Sequence, residues 1–368
     1  MLDITFYLFI AIIAIQFFYY IVVFGKFSFY KYKPQTNQNF PISVIVCAKN
    51  EEENVRKYLP LLINQDYPNF EIVLIDDASS DETLDLFEEF EKAYKNIKLV
   101  KVENNEAFWG NKKFALTMGI KAAKNEHLLF TDADCYPTSN NWITEMTSQF
   151  TTEKTIVLGY GAYEKIAGSF LNKIIRFETL LAATQYFSWA KKGNPYMGVG
   201  RNLAYNRSEF FAVNGFVNHM KLRSGDDDLF VNEVATKDNT AICYAPESFT
   251  ISDPKTNFKD WVLQKRRHIS TAGYYKFFDK LQLTAFYISQ ISFVFLAVFL
   301  LITQYQLIIV LSLVGFRYLF SWISVGFAAG KLKEKDVVLF LPIIEIILMF
   351  SNFYLFVINI FSKPAHWK

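Results

Sequence analysis

A chain of 368 residues carries 38 Lys and Arg against 36 Asp and Glu, a net charge of +2 that offers nucleic acid no basic surface to follow. Three cysteines (Cys47, Cys135, Cys243), in no metal-ligand spacing, exclude a disulfide framework and read as buried thiols in a reducing compartment. Half the residues are apolar, yet the charged ones crowd between about 41 and 280 while both ends are almost free of them. That distribution excludes an ordinary water-soluble protein and describes a water-facing domain held between membrane segments.

The first element is Ile4 to Phe24, an apolar run whose one strongly polar member is Gln16. About 20 such residues are needed to cross a hydrocarbon core. Asp3 opens the run and Lys26, Lys31 and Lys33 succeed it. A cleaved leader has a basic start and a shorter apolar stretch, so this is a retained anchor. The lysines put the next stretch of chain in the cytoplasm.

From Pro41 short apolar runs alternate with amphipathic ones. Ile42–Val46 is a strand by its β-branched content, Asn54–Ile63 a helix, and Glu71–Ile75 a strand ending in Asp76-Asp77. A helix begins near Asp81, a strand runs over Ile97–Val102, and a helix over Asn111–Ala123. The strand His127–Phe130 then runs into Thr131-Asp132-Ala133-Asp134. The alternation predicts a parallel sheet with helices on both faces, with ligands beyond the carboxyl ends of its strands. Both acidic clusters lie there. Beyond them, Lys165–Lys192 has helical spacing and reads either as a core helix or as a membrane-face helix guiding a lipid.

The C-terminal third holds apolar runs over Thr284–Thr303, Leu307–Ala329 and Val337–Phe361, the last interrupted by Pro342, Glu345 and Asn352. A basic loop, Lys331 to Lys335, separates the second and third. Four crossings would carry Lys363 and Lys368 to the far side, so the last run reads either as a crossing or as re-entrant or interfacial. Glu345 at membrane depth should face protein or water, and reads either as a contact to a lipid substrate or as a hydrogen-bonding group inside the bundle.

Four constellations carry chemistry. Asp76 and Asp77 repel unless a donor-bearing group, such as a base and ribose, sits between them; the bland alternative is a helix cap by Ser80 or Asp81. Asp132 and Asp134 can grip a hard divalent cation that carries phosphates, or merely form a turn. Ser224-Gly225-Asp226-Asp227-Asp228 is either a solvated acidic loop or the source of a general base. Gln264-Lys265-Arg266-Arg267-His268 is either a headgroup collar or a diphosphate contact, since Gln264 and Arg267 share a helix face.

These residues, in this order, resemble the inverting family-2 glycosyltransferases over about Pro41–Gly273. Ala48-Lys49-Asn50-Glu51-Glu52 is similar to the family's Asn-Glu-Glu opening, and Asp76-Asp77-Ala78-Ser79-Ser80-Asp81 to its Asp-Asp-Gly-Ser-x-Asp stretch, with Ala78 for Gly. Gly110-Asn111-Lys112-Lys113-Phe114-Ala115-Leu116 resembles Gly-x-Lys-x-x-Ala-Leu. Asp132-Ala133-Asp134 is the Asp-x-Asp, Gly225-Asp226-Asp227 stands for Gly-Glu-Asp, and Gln264–His268 resembles Gln-x-x-Arg-Trp. The resemblance implies a GT-A nucleotide-sugar-binding domain with a doubly wound mixed sheet. It divides the chain into an anchor (1–25), a cytoplasmic catalytic domain (41–280) and a C-terminal membrane region (281–368).

It also implies a nucleotide-sugar donor, commonly UDP-linked, and Mg²⁺ or Mn²⁺. Carried over by position, Glu51, Asp76 or Asp77, and Lys112 hold the nucleoside. Asp132 and Asp134 hold diphosphate and metal, Asp227 is the base with Asp226 the alternative, and Gln264 and Arg267 meet the diphosphate. On the acceptor side stand His268, Trp189, Arg201 and Asn202, with Asn206-Arg207 nearby. His268 in place of Trp removes a stacking face and the membrane part is short, so transfer of one sugar to a lipid-linked or membrane-proximal glycan acceptor in a bacterial inner membrane is preferred over processive synthesis. Rival readings are a nucleotide-sensing scaffold or transporter, and a nucleotidyltransferase, for which the chain lacks a Gly-rich phosphate loop.

Overall fold

The structure, a computed structural model, describes residues 1–32, 39–103, 112–222 and 224–361, with the side chains of all but His268 and Ile360. Lys33, Gly110, Asn111, Lys363 and Lys368 therefore lie outside the described residues.

Strands β1 (Ile42–Ala48), β2 (Phe70–Asp77) and β4 (His127–Asp132) have largely apolar, buried middles, as strands covered on both faces must, while β3 (Ile97–Val102) is an edge strand that exposes Lys98 and Lys101. The shorter β5 (Cys135–Pro137), β6 (Ile156–Leu158), β7 (Gly161–Tyr163), β8 (Leu203–Asn206), β9 (Thr240–Ile242) and β10 (Thr250–Ser252) come next. One sheet has the order β3-β2-β1-β4-β8-β6-β9 and a smaller one β5-β10-β7. Strands β3, β2, β1 and β4 are parallel, as the alternation predicts. β8 runs antiparallel to β4 and β6, which makes the sheet mixed.

The helices of the domain are α3 (Glu52–Ile63), α4 (Thr83–Ala93), α5 (Lys112–Ala122), α6 (Trp142–Thr147), α7 (Phe170–Lys192), α8 (Arg207–Ala212), α9 (Asp228–Val234) and α10 (Phe258–Ala272). Ahead of them α1 (Leu2–Phe17) continues through a π-helical turn, Phe18–Val23, into α2 (Gly25–Ser28). After them come α11 (Phe277–Ile302), α12 (Leu307–Lys331), α13 (Lys335–Val338) and α14 (Leu341–Phe361). Pro342 falls in the first turn of α14, where no intrahelical N–H is lost, so it starts this helix and does not break it.

Among the described residues four helices, Leu2–Ser28, α11, α12 and Leu341–Asn359, are long and apolar enough to cross a membrane. α7 lies between these and the sheet. Its Ile174, Phe177, Leu180, Phe187 and Trp189 are buried, and Phe187 packs on Phe27 of α2, which settles its two readings toward a core helix. Arg176, buried on α7, ties it to Glu334 and Asp336 just beyond α12. Glu345 is satisfied inside the bundle: Arg317 Nη1 donates to it at 2.6 Å, Tyr20 Oη at 2.7 Å and Gln290 Nε2 at 2.9 Å.

Candidate active site

Register places the acidic clusters side by side. Ala48 at the end of β1 lies opposite Asp76 of β2, and Cys47 opposite Asp132 of β4. Asp76 and Asp77 are buried, and Asp76 Oδ1 and Asp77 Oδ2 have no hydrogen-bond donor. Asp77 has only Lys49 Nζ at 3.9 Å. Burial, opposed by Lys49 and reinforced by Asp76, raises the Asp77 carboxyl above its ordinary range. Two buried acceptors without donors are costly unless a ligand supplies them.

Ala78, next in line, has φ +54°, the left-handed conformation that glycine adopts freely, so its turn holds the glycine geometry at a cost of about 1 kcal/mol. The loop is braced by Glu51 N donating to Thr83 Oγ1 at 2.8 Å, while Asn54 Nδ2 donates to Glu51 Oε2 at 2.6 Å. The helix-cap reading accounts for Asp81, whose Oδ1 accepts from the Thr83 amide at 3.0 Å as α4 opens, but not for Asp76 and Asp77.

Lys112, at the start of α5, lies between Asp132 Oδ1 at 2.6 Å and Asp226 Oδ2 at 3.2 Å. Burial works to lower its pKa, but the two carboxylates outweigh it and hold the ammonium well above its usual value. This lysine thus joins the end of β4 to the aspartate triplet. One oxygen each of Asp132 and Asp134 and the sulfur of Cys135 lie within 4.8 Å of one another. Burial and Asp134 push the Cys135 thiol well up; its soft sulfur suits Mg²⁺ or Mn²⁺ less well than the paired carboxylates do. Burial, with Asp132 and Glu51, also raises the Asp134 carboxyl, the repulsion that a cation would relieve.

The triplet divides its labour. Gly225 turns the chain at φ +97°. Asp226 faces Lys112. Asp227 caps α9: its Oδ1 accepts from the Asp228 amide and its Oδ2 from the Gly200 amide, both at 2.7 Å. Burial, then Asp226 and Asp228, push its carboxyl up to about 7. Asp228 turns inward, where its Oδ2 accepts from Thr271 and, at 2.8 Å, from Tyr275 Oη. The bond to Thr271 tethers the triplet to α10. Lys113 is a residue that the sequence pattern did not single out. Fully buried, its Nζ donates to the carbonyls of His219 (2.8 Å), Leu222 (3.1 Å) and Ser224 (2.7 Å), and so fixes the segment leading to Asp226. Adjacent lysines opening a helix gave no signal of which one turns inward.

On α10, Gln264, Arg267 and Thr271 fall on one face by helical spacing. Gln264 Nε2 donates to Tyr163 Oη at 3.3 Å, and the Arg201 guanidinium lies 4.3 Å over that same tyrosine ring. Arg201 is held by Ser252 Oγ at 2.7 Å and Gly161 O at 3.0 Å, and its charge reaches Asp134. Lys265 pairs with Glu178 of α7, and Arg266 Nε donates to Asn359 at 3.0 Å.

Three acceptor-side expectations are corrected. Asn202 is fully buried; its amide accepts from Trp142 Nε1 and donates to Tyr160 O and Ser248 O, which leaves no face for an acceptor. Trp189 is 8% exposed and packed in the core. Asn206 pairs with His127 at the start of β4, the end of the sheet opposite the acidic cluster. The His268 side chain lies outside the described residues.

Residues 43–221 match the profile of the family Glycosyl transferase family 2. A dolichyl N-acetyl-alpha-D-glucosaminyl phosphate 3-beta-D-2,3-diacetamido-2,3-dideoxy-beta-D-glucuronosyltransferase of Methanococcus voltae is 32% identical over 160 residues, 41% of this chain and 49% of that protein. An uncharacterized glycosyltransferase of Haemophilus influenzae is 31% identical over 150 residues, 40% of this chain and 42% of that one. The matched segments thus span about half the length of these curated relatives. The solved mannosyltransferase PcManGT of Pyrobaculum calidifontis, in complex with GDP-Man and Mn²⁺, superposes with a TM-score of 0.59 at 18% identity, covering 90% of this chain and 99% of that one. The α/β core therefore has the GT-A glycosyltransferase fold.

Proposed function

The chain carries a family-2 glycosyltransferase domain, and from that premise we propose that it moves one sugar from a nucleotide-sugar to a lipid-linked or membrane-proximal acceptor, with inversion, at the cleft formed by β1, β2, β4 and the aspartate triplet. The observation that carries the reading is Asp227: a carboxyl near neutral pKa, oriented by two backbone amides, next to an aspartate that shares a lysine with Asp132. A base matched to the working pH transfers protons most effectively.

In this reading the unsatisfied oxygens of Asp76 and Asp77, with Glu51, receive the donors of the base and ribose. Asp132 and Asp134 hold Mg²⁺ or Mn²⁺, which when bound offsets the charge on the departing diphosphate. Lys112 holds Asp132 in place, and Gln264 and Arg267 approach the diphosphate from α10. Asp227 takes the proton from the acceptor hydroxyl, so one displacement suffices and the anomeric centre inverts. The lipid-linked acceptor is favoured by the apolar helices beside the site and by the name of the Methanococcus relative, which specifies a dolichyl phosphate substrate. We further propose that the catalytic domain, residues 41–280, lies in the cytoplasm of a bacterial cell, on the side of the lysines that come after the first helix.

The test is a donor screen with the detergent-purified protein, a panel of UDP- and GDP-sugars and lipid-linked acceptors. Release of one nucleoside diphosphate, abolished by chelator and accompanied by an inverted product anomer on NMR, is expected. Nucleotide binding without turnover for any donor would instead favour a nucleotide-sensing membrane protein.

A further inference from the structure

Length and composition alone would let α14 cross the membrane, but its contacts describe another path. Just ahead of its first turn, Phe340 meets Phe170 of α7, and Lys173 of α7 lies 4.1 Å over the Phe340 ring. Near its other end, Asn359 accepts from Arg266 of α10 at 3.0 Å. The 19-residue separation corresponds to about 28 Å of helix, close to the roughly 30 Å thickness of a hydrocarbon core. A helix leaving α7 along the membrane normal would carry Asn359 that far from the catalytic domain, beyond the reach of any side chain on α10. Nor can α10 descend to meet it, since Lys259, Asp260, Lys265, Arg266 and Arg267 are too polar for hydrocarbon.

The middle of α14 is tied to the neighbouring apolar helices. Glu345 bonds Tyr20, Gln290 and Arg317, and Tyr287 Oη donates to Met349 O at 3.0 Å. Tyr20 in turn stands close to α7, whose Lys192 sits over the ring of Phe18 two residues earlier. One face of α14 is turned inward through Leu341, Ile344, Glu345, Leu348 and Met349. The other exposes Ile343, Ile346, Phe350, Phe353 and Phe361, at helical spacing and without a charge.

We propose that α14 lies in the plane of the membrane on the catalytic-domain side, a floor beneath α7 and α10 whose open face is seated in the acyl chains of that leaflet. The crossings are then α1, α11 and α12. Acyl chains are the occupant because the open face continues the exposed apolar faces of α11 and α12, among them Ile288, Phe295, Phe316 and Leu319. The last described turn of α14 then ends on the catalytic-domain side, and lysines at sequence positions 363 and 368 suit that side. Arg266, the anchor of this floor, adjoins Arg267, so the lipid surface comes within one residue of the helix face proposed to meet the diphosphate.

The experiment labels full-length protein in sealed vesicles of known orientation with a membrane-impermeant maleimide. In a Cys47→Ser background, where Cys135 and Cys243 are buried, one cysteine is introduced by Thr256→Cys in the catalytic domain, by Gln304→Cys between α11 and α12, or by a Gly-Ser-Cys extension after Lys368. The extension is expected to label in the same vesicles as Thr256→Cys, with at least a tenfold preference over vesicles of the other orientation, and Gln304→Cys in the opposite ones. An extension that labels together with Gln304→Cys means that α14 crosses, and overturns the proposal. No activity is read, so this result is independent of the proposed reaction.

Discussion

Replacing Asp227 by Asn keeps its shape and removes the capacity to take a proton, but leaves one acceptor oxygen for two amides, so either the Gly200 or the Asp228 N–H loses its partner. General-base catalysis is worth about 10²–10⁴ in rate, or about 2.7–5.4 kcal/mol of barrier. Asp227→Asn is therefore expected to lose that factor in kcat while donor affinity, read by calorimetry, changes less than about threefold. With the carboxyl pushed up to about 7, kcat/KM of the parent enzyme should fall as pH drops through 7, to about one-tenth at pH 6 and one-hundredth at pH 5.

The stability sign is opposite to that of an ion-paired aspartate. The folded-state pKa lies above the unfolded one, so the folded protein binds the proton more tightly and loses stability as pH rises from about 4 through about 7. The uncharged variant escapes that loss while giving up one accepted amide bond, so its thermal midpoint should fall less than the parent's between pH 4 and pH 8. Turnover within tenfold of the parent, or an acid limb that persists in the variant, would refute the assignment of Asp227 as base.

Chelation should abolish turnover and Mn²⁺ or Mg²⁺ restore it. Asp134→Asn should raise the metal concentration needed at least tenfold and Cys135→Ala should not, because these hard cations prefer oxygen to sulfur; a matching rise in Cys135→Ala would make the sulfur a ligand. Lys112→Met leaves Asp132 and Asp226 facing each other without their shared cation, so donor affinity should drop about tenfold or more, measured by calorimetry at saturating metal. Asn202→Leu removes three buried hydrogen bonds, each costing about 1 kcal/mol or more when its partner is left unpaired, and should lower the thermal midpoint. A stable but inactive Asn202→Leu would return this residue to the acceptor side.

The sequence disclosed the half of the sheet that is built from long strands. Strands β1 to β4 are six to eight residues long and, apart from the edge strand β3, mostly apolar; β2 and β4 run into paired aspartates, which announces both the sheet and the edge where ligands bind. β5 to β10 are three or four residues each, too short for any periodicity, so the antiparallel insertion of β8 was invisible. The division of labour within Asp226-Asp227-Asp228 was equally hidden. Which carboxyl meets Lys112, which caps α9 and which turns toward Thr271 depends on elements far apart in sequence. Asn202 and Trp189 misled because polarity or aromaticity near a loop says nothing about the direction of a side chain. One signal was legible and unused: Arg317 interrupts an apolar run just as Glu345 does, and a lone charge of each sign in two such runs invites their pairing.

In the proposed mechanism, carboxylates from separate strands serve one donor and one cation. The most direct measurement of that convergence is a structure with a nucleoside diphosphate and Mn²⁺, with anomalous scattering recorded at the manganese edge. The expected map has one manganese peak bonded to Asp132 and Asp134, the base against Asp76 or Asp77, and Asp227 facing the open side of the diphosphate. A peak elsewhere, or a nucleotide bound away from the ends of β1, β2 and β4, would contradict it.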